Sequence, residues 1–252
     1  MSGHSKWSQI KRQKGANDAK RGALFTKLTR EIITAARQGG GDIDANYRLR
    51  MAVDKAKANS MPADNIKRAV ERATGAGDDA EQYEEITYEG FGPSNVAVIV
   101  ATMTDNRNRT AADVRSAFNK VGGSLAPVAW QFEHKGVISV PLNGTDADEL
   151  TLAAIDAGAT DVEAPDGGSV VVYTDPVELE RVRTALASAG FEAESAELSM
   201  EPTTRVELAD ERSARAVLNF VERLEDLDDV QDVYANFDIP ADLMEALEAS
   251  VV

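Results

Sequence analysis

Lysine and arginine are the side chains through which this chain could do chemistry, and they are concentrated near its start. Residues 3–37 hold nine of them against two acids, Asp18 and Glu31. Because cations gathered on an otherwise acidic chain point to a polyanion, of which nucleic acid is the commonest, we expect phosphate contacts here. The candidate residues include a histidine, a tryptophan and two further arginines: His4, Lys6, Trp7, Lys11, Arg12, Lys14, Lys20, Arg21, Lys27, Arg30, Arg37, Arg48 and Arg50.

A second candidate is the segment TDNRNRT at residues 104–110, which joins a predicted strand to a predicted helix. Arg107 and Arg109 would suit a phosphate there, since the free N–H groups of a helix start add to their charge. The alternative is a polar loop in which Asp105 or Asn108 caps the helix and the arginines pair with nearby acids. Both interpretations stay open on the sequence.

Enzymatic and metal chemistry have little support in the sequence. The chain has no cysteine and only two histidines, His4 and His134, and it lacks the HExxH and GxSxG patterns. Its many carboxylates are scattered over predicted helix faces, where acids are usually solvated. We therefore expect no catalytic residue, no cofactor and no metal site.

The charge distribution divides the chain more sharply than its overall composition. Residues 1–77 contain 16 Lys and Arg and 7 Asp and Glu, for a net charge of +9, whereas the remainder contains 11 and 36, for −25. Such asymmetry favours a basic domain followed by acidic ones. The apolar fraction of 43% and the mean hydropathy of −0.31 are typical of a globular protein, and no apolar run is long enough to span a membrane. We expect a cytoplasmic protein.

The basic segment must be positioned by helices. Residues 3–15 lack apolar periodicity and predict an irregular arm, and a helix is predicted from about Asp18. Its apolar residues share one face, with Lys20, Lys27, Arg30 and Arg37 roughly opposite. Two further short helices are predicted before Gly77, so that residues 1–77 form a basic arm and a small helical domain.

The rest of the chain predicts strands and helices in a nested order. Residues 136–200 follow the order β-α-β-β-α-β of a ferredoxin-like unit. Removing that block leaves the same order in the flanking sequence, with an additional strand at 85–90. The flanking elements are strand 95–103, helix 110–121, strand 127–134, strand 203–208, helix 210–224 and strand 229–237. We predict an α+β fold with two ferredoxin-like βαββαβ units: 136–202 is an inserted domain, and 78–135 plus 203–252 form a discontinuous one.

Several motifs resemble the YebC family. They are GHSKW at 3–7, DAKRG at 18–22, FTKLTREI at 25–32, DNIKRA at 64–69 and the stretch from Tyr88 to Thr110. Ser94-Asn95 and Pro127 depart from the family pattern. The resemblance implies a three-domain architecture and a role in gene-expression control, as a DNA-binding transcriptional regulator. The family's mitochondrial relatives imply an alternative, a ribosome- or RNA-associated translational activator.

The residues alone do not choose between DNA and structured RNA, because phosphate contacts carry little sequence information. No recognition helix is evident, and the predicted arm with Trp7 favours folded RNA. An alternative of a different class is a small-molecule sensor or protein-interaction scaffold built on the βαββαβ units. For the assembly state, a monomer is favoured.

Overall fold

The computed structural model describes residues 18–75, 82–142, 144, 146–164 and 168–249. In these residues the helices are α1 (Asp18–Gly39), α2 (Tyr47–Ala58), α3 (Ala63–Thr74), α4 (Arg107–Lys120), α5 (Ala147–Ala157), α6 (Leu179–Ser188), α7 (Glu211–Glu225) and α8 (Ala241–Ala249). The strands are β1 (Glu84–Phe91), β2 (Ala97–Thr104), β3 (Ser124–Leu125), β4 (Phe132–Pro141), β5 (Asp161–Glu163), β6 (Ser169–Thr174), β7 (Ser195–Pro202), β8 (Val206–Glu207), β9 (Val230–Ala235) and β10 (Phe237–Asp238). The predicted α+β class is confirmed.

One compact unit comprises Phe132–Thr203 and contains β4 to β7 with α5 and α6. Its sheet has the order β5-β6-β4-β7 and every neighbouring pair is antiparallel, which is the arrangement of a ferredoxin-like βαββαβ unit. The central residues of β4 and β6 are buried and lie opposite one another, as Ile138 pairs with Val172 and Val140 with Val170. β6 is buried along its length from Val170 to Thr174, and both segments form the strands that the sequence predicts.

The second unit comprises the described residues on either side of the first. Its larger sheet has the order β3-β1-β2-β9. The additional strand predicted at 85–90 therefore lies inside the sheet, where a ferredoxin-like unit would place the strand predicted at 203–208. That strand is instead reduced to β8, which pairs in parallel with β10 in a separate two-stranded sheet. The flanking unit keeps the predicted order of elements but exchanges one strand.

Hydrogen bonding explains why the strands of the flanking unit differ from the prediction. β1 pairs with β2 along eight residues, from Glu84 opposite Thr104 to Phe91 opposite Ala97. Only residues 132–134 of the strand predicted at 127–134 form a strand, as the start of β4, because the Glu89 carboxylate accepts hydrogen bonds from the backbone N–H groups of Val128 and Ala129 at 2.7 and 2.8 Å. These bonds hold the chain in a turn, and from Phe132 onward the residues belong to β4.

Close packing between α4 and β1 depends on Gly90. A Cβ atom there would lie 2.6 Å from the ring of Phe118 and 2.5 Å from the carbonyl oxygen of Ser124. Phe118 is fully buried and meets Phe220 of α7 edge to face, with ring centroids 5.0 Å apart. The two helices thus cover the same core of the β1–β2–β9 sheet.

The three N-terminal helices form a core of their own. Asn46 fixes the turn between α1 and α2, since its side chain accepts from the Leu49 backbone N–H and donates to the carbonyl oxygens of Ala35 and Gly40. The buried residues of this core are Leu28, Ile32, Ile33, Ala35, Ala36, Leu49, Ala52, Val53, Ala56, Met61, Ile66 and Ala69. This cluster is distinct from the one beneath the β1–β2–β9 sheet. The boundaries of a separate domain at 1–77 remain a prediction.

Candidate nucleic-acid interface

The arm residues His4, Lys6, Trp7, Lys11, Arg12 and Lys14 lie outside the described residues, as does the side chain of Lys20. Of the candidates in the described part, Arg21 is exposed on the first turn of α1. The apolar face predicted for α1 does pack inward, with Leu28, Ile32, Ala35 and Ala36 buried. The opposite face differs from the prediction.

Lys27 and Arg30 on that opposite face contact the acidic segment between α7 and β9. The Lys27 ammonium donates to the carbonyl oxygen of Glu225, and the Arg30 guanidinium donates to that of Asp228. Burial lowers the pKa of Lys27 below its ordinary value, although the nearby carboxylates of Glu225 and Asp232 oppose this change. Because both cations are already engaged, the expectation that they face a ligand is corrected, and we leave them out of the interface.

Arg30 has two further partners. Its Nη1 lies 3.3 Å from Oδ1 of Asp229, and its guanidinium carbon lies 5.6 Å from the ring centroid of Tyr83. The side chain of Arg30 is only 14% exposed and that of Asp229 only 6%. Loss of either partner of a pair held this way would leave an uncompensated charge at the contact between α1 and the α+β part.

A second ion-pair group joins α1 and α2 to the same part. Lys55 Nζ lies 3.3 Å from Glu31 and 3.5 Å from Asp232. Burial raises the pKa of Glu31 above its ordinary value, and the charge of Lys55 only partly offsets this. Arg48 Nη2 lies 2.8 Å from Glu85, with both side chains about two-fifths exposed. This exposed pair is worth little and leaves Arg48 available to a phosphate.

The two other predicted arginines of this region are partly occupied. Arg50 donates to the carbonyl oxygens of Ile43 and Asp44 at 3.3 and 2.9 Å, which ties α2 to the preceding turn. Arg37 is half-buried in the last turn of α1. Neither matches the freely exposed cation that the sequence pattern predicts.

The loop at 104–110 adopts the ion-paired alternative for Arg109. Arg109 Nη2 lies 2.7 Å from Asp229 and 2.7 Å from Asp105, so the predicted phosphate contact at this residue is corrected. The helix is capped by neither residue proposed for that role, because the Asn106 side chain accepts from the Arg109 backbone N–H at 3.1 Å. Arg107 is exposed and forms no ion pair within the described chain.

Asp229 is the acceptor at the centre of this loop. Besides Arg109, the hydroxyl groups of Thr110 and Thr104 donate to it at 2.7 and 3.2 Å. Burial opposes its ionisation, but the hydrogen bonds from Arg109 and Thr110 outweigh burial, and the pKa of Asp229 lies below its ordinary value. The same hydrogen bonds, to Asp229 first and then to Asp105, raise the pKa of Arg109.

Three further exposed cations are not among the residues that the sequence analysis proposed: Lys57 on α2 and Lys67 and Arg68 on α3. Lys57 lies 3.3 Å from Asp54 and Lys67 lies 3.8 Å from Glu71, and all four side chains are more than half exposed. Such surface pairs contribute little and open readily to a phosphate. The signal was available, because each residue lies beside a buried position, Ala56, Ile66 or Ala69, and so falls on the outer face.

The described residues also bear on metal binding and membrane insertion. No group of three or more His, Asp or Glu side chains there is arranged to hold a metal ion. His134 is exposed on β4. Among the described helices, none has the length and apolar character needed to cross a membrane.

Comparison with known proteins gives matches along nearly the whole chain. Residues 5–76 match the TACO1/YebC protein N-terminal domain, and residues 83–237 match the TACO1/YebC second and third domain. A "Probable transcriptional regulatory protein" of Rubrobacter xylanophilus is 56% identical, over 97% of this chain and 98% of its own length. One of the same description from Trichlorobacter lovleyi is 54% identical, over 98% of this chain and all of its own.

A solved structure agrees with these matches. The crystal structure of a conserved hypothetical protein from Aquifex aeolicus has a TM-score of 0.79 and 45% sequence identity, and the similarity covers 88% of this chain and 92% of that one. The resemblance noted in the motifs is thus confirmed over both the helical and the α+β parts. The chain belongs to the TACO1/YebC family.

Proposed function

We propose that this protein is a non-enzymatic regulator of gene expression that binds nucleic acid through the basic residues of its first 77 positions. The observation that carries the proposal is the charge distribution, +9 in residues 1–77 against −25 in the remainder. An acidic surface repels phosphates, so binding falls to the basic segment. The relatives described as transcriptional regulators support the same role.

The described contacts narrow the proposed interface. Lys27, Arg30 and Arg109 bind acids or carbonyl groups of the same chain and are excluded. The remaining cations of the first 77 positions include Arg21, Arg37, Arg48, Arg50, Lys57, Lys67 and Arg68, together with the lysines and arginines of residues 1–20. Arg107 lies outside this segment and is a separate candidate for a phosphate contact. These residues would contact phosphates, which fix position on the nucleic acid rather than read its sequence.

The first form of the proposal is a DNA-binding transcriptional regulator, as the description of the relatives suggests. The second form is an RNA-associated translation factor that acts at the ribosome. Two observations favour the second form. The first is that the cationic side of α1, the longest described helix, contacts acidic residues of the same chain. The second is that the side chain of Trp130 is 73% exposed. An exposed indole offers a surface on which an unpaired base can stack.

A competition experiment decides between these forms. The protein is bound to a labelled structured RNA and challenged at equal salt with random duplex DNA, a promoter duplex and unlabelled RNA. Preferential displacement by RNA supports the translation form. That form also predicts that the Trp7→Ala variant loses less affinity for duplex DNA than for RNA. Displacement by one promoter far better than by random DNA supports the transcription form. Failure to bind any of the three rejects the proposed function.

A further inference from the structure

Helix α5 has an apolar spot on its outer face. Leu152 and Ile155 are 65% and 56% exposed, although both are large aliphatic residues. They lie on the side of the helix opposite its buried residues Leu150, Ala154 and Ala157. At 100° per residue, Leu152 and Ile155 are neighbours one turn apart. The core of the domain therefore does not account for them.

Carboxylates surround this spot. Asp148, Glu149 and Asp156 are exposed and lie four residues before, three before and four after Leu152, which places all three on the same face. None of the three forms an ion pair with another described residue. The outer face of α5 thus consists of two aliphatic side chains with an acidic rim.

The domain has no cations to spare for this rim. Residues 132–203 contain 15 Asp and Glu but only three Lys and Arg. Lys135 lies 3.2 Å from Glu133, Arg183 lies 2.6 Å from Glu180, and Arg181 pairs with Glu178. The domain's own cations therefore leave the rim with a net negative charge.

We propose that the outer face of α5 is a docking surface for a basic protein segment that carries two apolar side chains on one helical turn, flanked by lysine or arginine. The aliphatic pair supplies the area to be buried, and the acidic rim attracts and orients the cations. A nucleic acid would be repelled, since its phosphates share the sign of the rim. A second copy of the domain would place like charges opposite one another.

The test uses the full chain and a labelled synthetic peptide in which two leucines three positions apart are flanked by lysines, with binding followed by fluorescence anisotropy. We expect Leu152→Ser with Ile155→Ser to weaken binding at least about tenfold, the effect of losing a central apolar contact. Asp148→Asn, Glu149→Gln and Asp156→Asn together should also weaken it about tenfold and flatten its salt dependence.

Matched controls distinguish this surface from general acidity. The triple change Asp161→Asn, Glu192→Gln and Glu194→Gln alters net charge equally at exposed positions outside the face, and Leu125→Ser removes an exposed leucine elsewhere. Both should bind the peptide within about twofold of the unchanged chain, as changes outside an interface centre usually do.

Three outcomes would overturn the proposal. The first is equal binding by the Leu152/Ile155 double variant, and the second is equal binding of a peptide in which serine replaces both leucines. The third is a dimer of the full chain, seen in sedimentation, that the double variant loses, because the face would then belong to a second copy. Nucleic-acid affinity should not change in the double variant, which separates this site from the proposed function.

Discussion

Arg30 of α1 and Asp229, just before β9, lie 3.3 Å apart and are both largely buried. Asp229 is also the acceptor for Arg109 at the start of α4, so one carboxylate holds two guanidinium groups from distant parts of the chain. This pairing joins the helical part to the α+β part. It also means that part of the basic sequence segment has a structural role.

Replacement of Asp229 should destabilise the protein. The Asp229→Asn change leaves Arg30 and Arg109 beside a neutral group, and breaking a buried ion pair from one side should lower the free energy of unfolding by about 3 kcal/mol. Urea denaturation measures this loss. The exposed Asp226→Asn is the matched control and should change the free energy by less than about 0.5 kcal/mol. Equal effects of the two changes would contradict the claim that Asp229 joins the helical part to the α+β part.

Asp229 and Glu31 should make the stability of the protein depend on pH in opposite directions. The pKa of Asp229 is lowered, so its stabilisation is present above about pH 4, the ordinary Asp value, and is lost as the pH falls through the folded pKa. The pKa of Glu31 is raised by burial, so stability is lost as the pH rises from its ordinary pKa to the folded one. The stability of Asp229→Asn relative to the unchanged chain should fall with rising pH, and that of Glu31→Gln should rise. Urea midpoints across the acidic range report both slopes, and slopes of the same sign would contradict the assignment.

Replacement of Arg30 should affect stability, whereas replacement of Arg21 should affect nucleic-acid binding. Arg30→Ala removes a buried partner of Asp229 and should lower the free energy of unfolding by about 2 kcal/mol, while nucleic-acid affinity of the folded protein stays within about twofold. Arg21→Ala, on the exposed first turn of the same helix, should leave stability unchanged and weaken binding. Urea denaturation and a filter-binding titration measure the two effects. A large loss of affinity in Arg30→Ala at a temperature where it is folded would return Arg30 to the interface.

The part of this arrangement that the sequence predicts is local. The short apolar segments at 136–142 and 168–174 indicate strands, and the helical spacing of Leu28, Ile32 and Ala35 indicates which face of α1 is buried. Periodicity shows which residues share a face, but not what that face contacts. Lys27 and Arg30 were therefore predicted on the cationic side of α1, whereas their partners Glu225 and Asp229 depend on tertiary packing.

The exchange of the strand predicted at 203–208 for β1 in the larger sheet also depends on tertiary packing. The segment 203–208 has the pattern of a strand and does form one, but only two residues of it pair, with β10. The choice of partner depends on β1, which offers eight residues to β2, and on the Glu89 hydrogen bonds that keep residues 128 and 129 in a turn. These are competitions between distant segments, which no local pattern reports.

Trp130 should discriminate between kinds of nucleic acid. Because its side chain is 73% exposed, Trp130→Ala should cost little stability. If unpaired bases stack on it, affinity for a looped RNA should fall about tenfold, near the lower end of the stacking range, while affinity for duplex DNA changes less than about twofold. Leu125→Ala serves as the control for loss of an exposed apolar group. Equal losses on RNA and DNA would argue against base stacking.

The salt dependence of nucleic-acid affinity tests the central claim most directly. Two variants with equal charge change are compared: Lys11, Arg12, Lys14 and Arg21 to alanine, and Arg115, Lys120, Arg212 and Arg223 to alanine. The logarithm of affinity should fall linearly with that of salt concentration, and the first variant should lower the slope by about 0.9 for each duplex phosphate contact removed. The second variant should keep the slope and affinity of the unchanged chain. Binding that ignores salt, or an equal loss in both variants, would contradict a nucleic-acid interface in the first 77 residues.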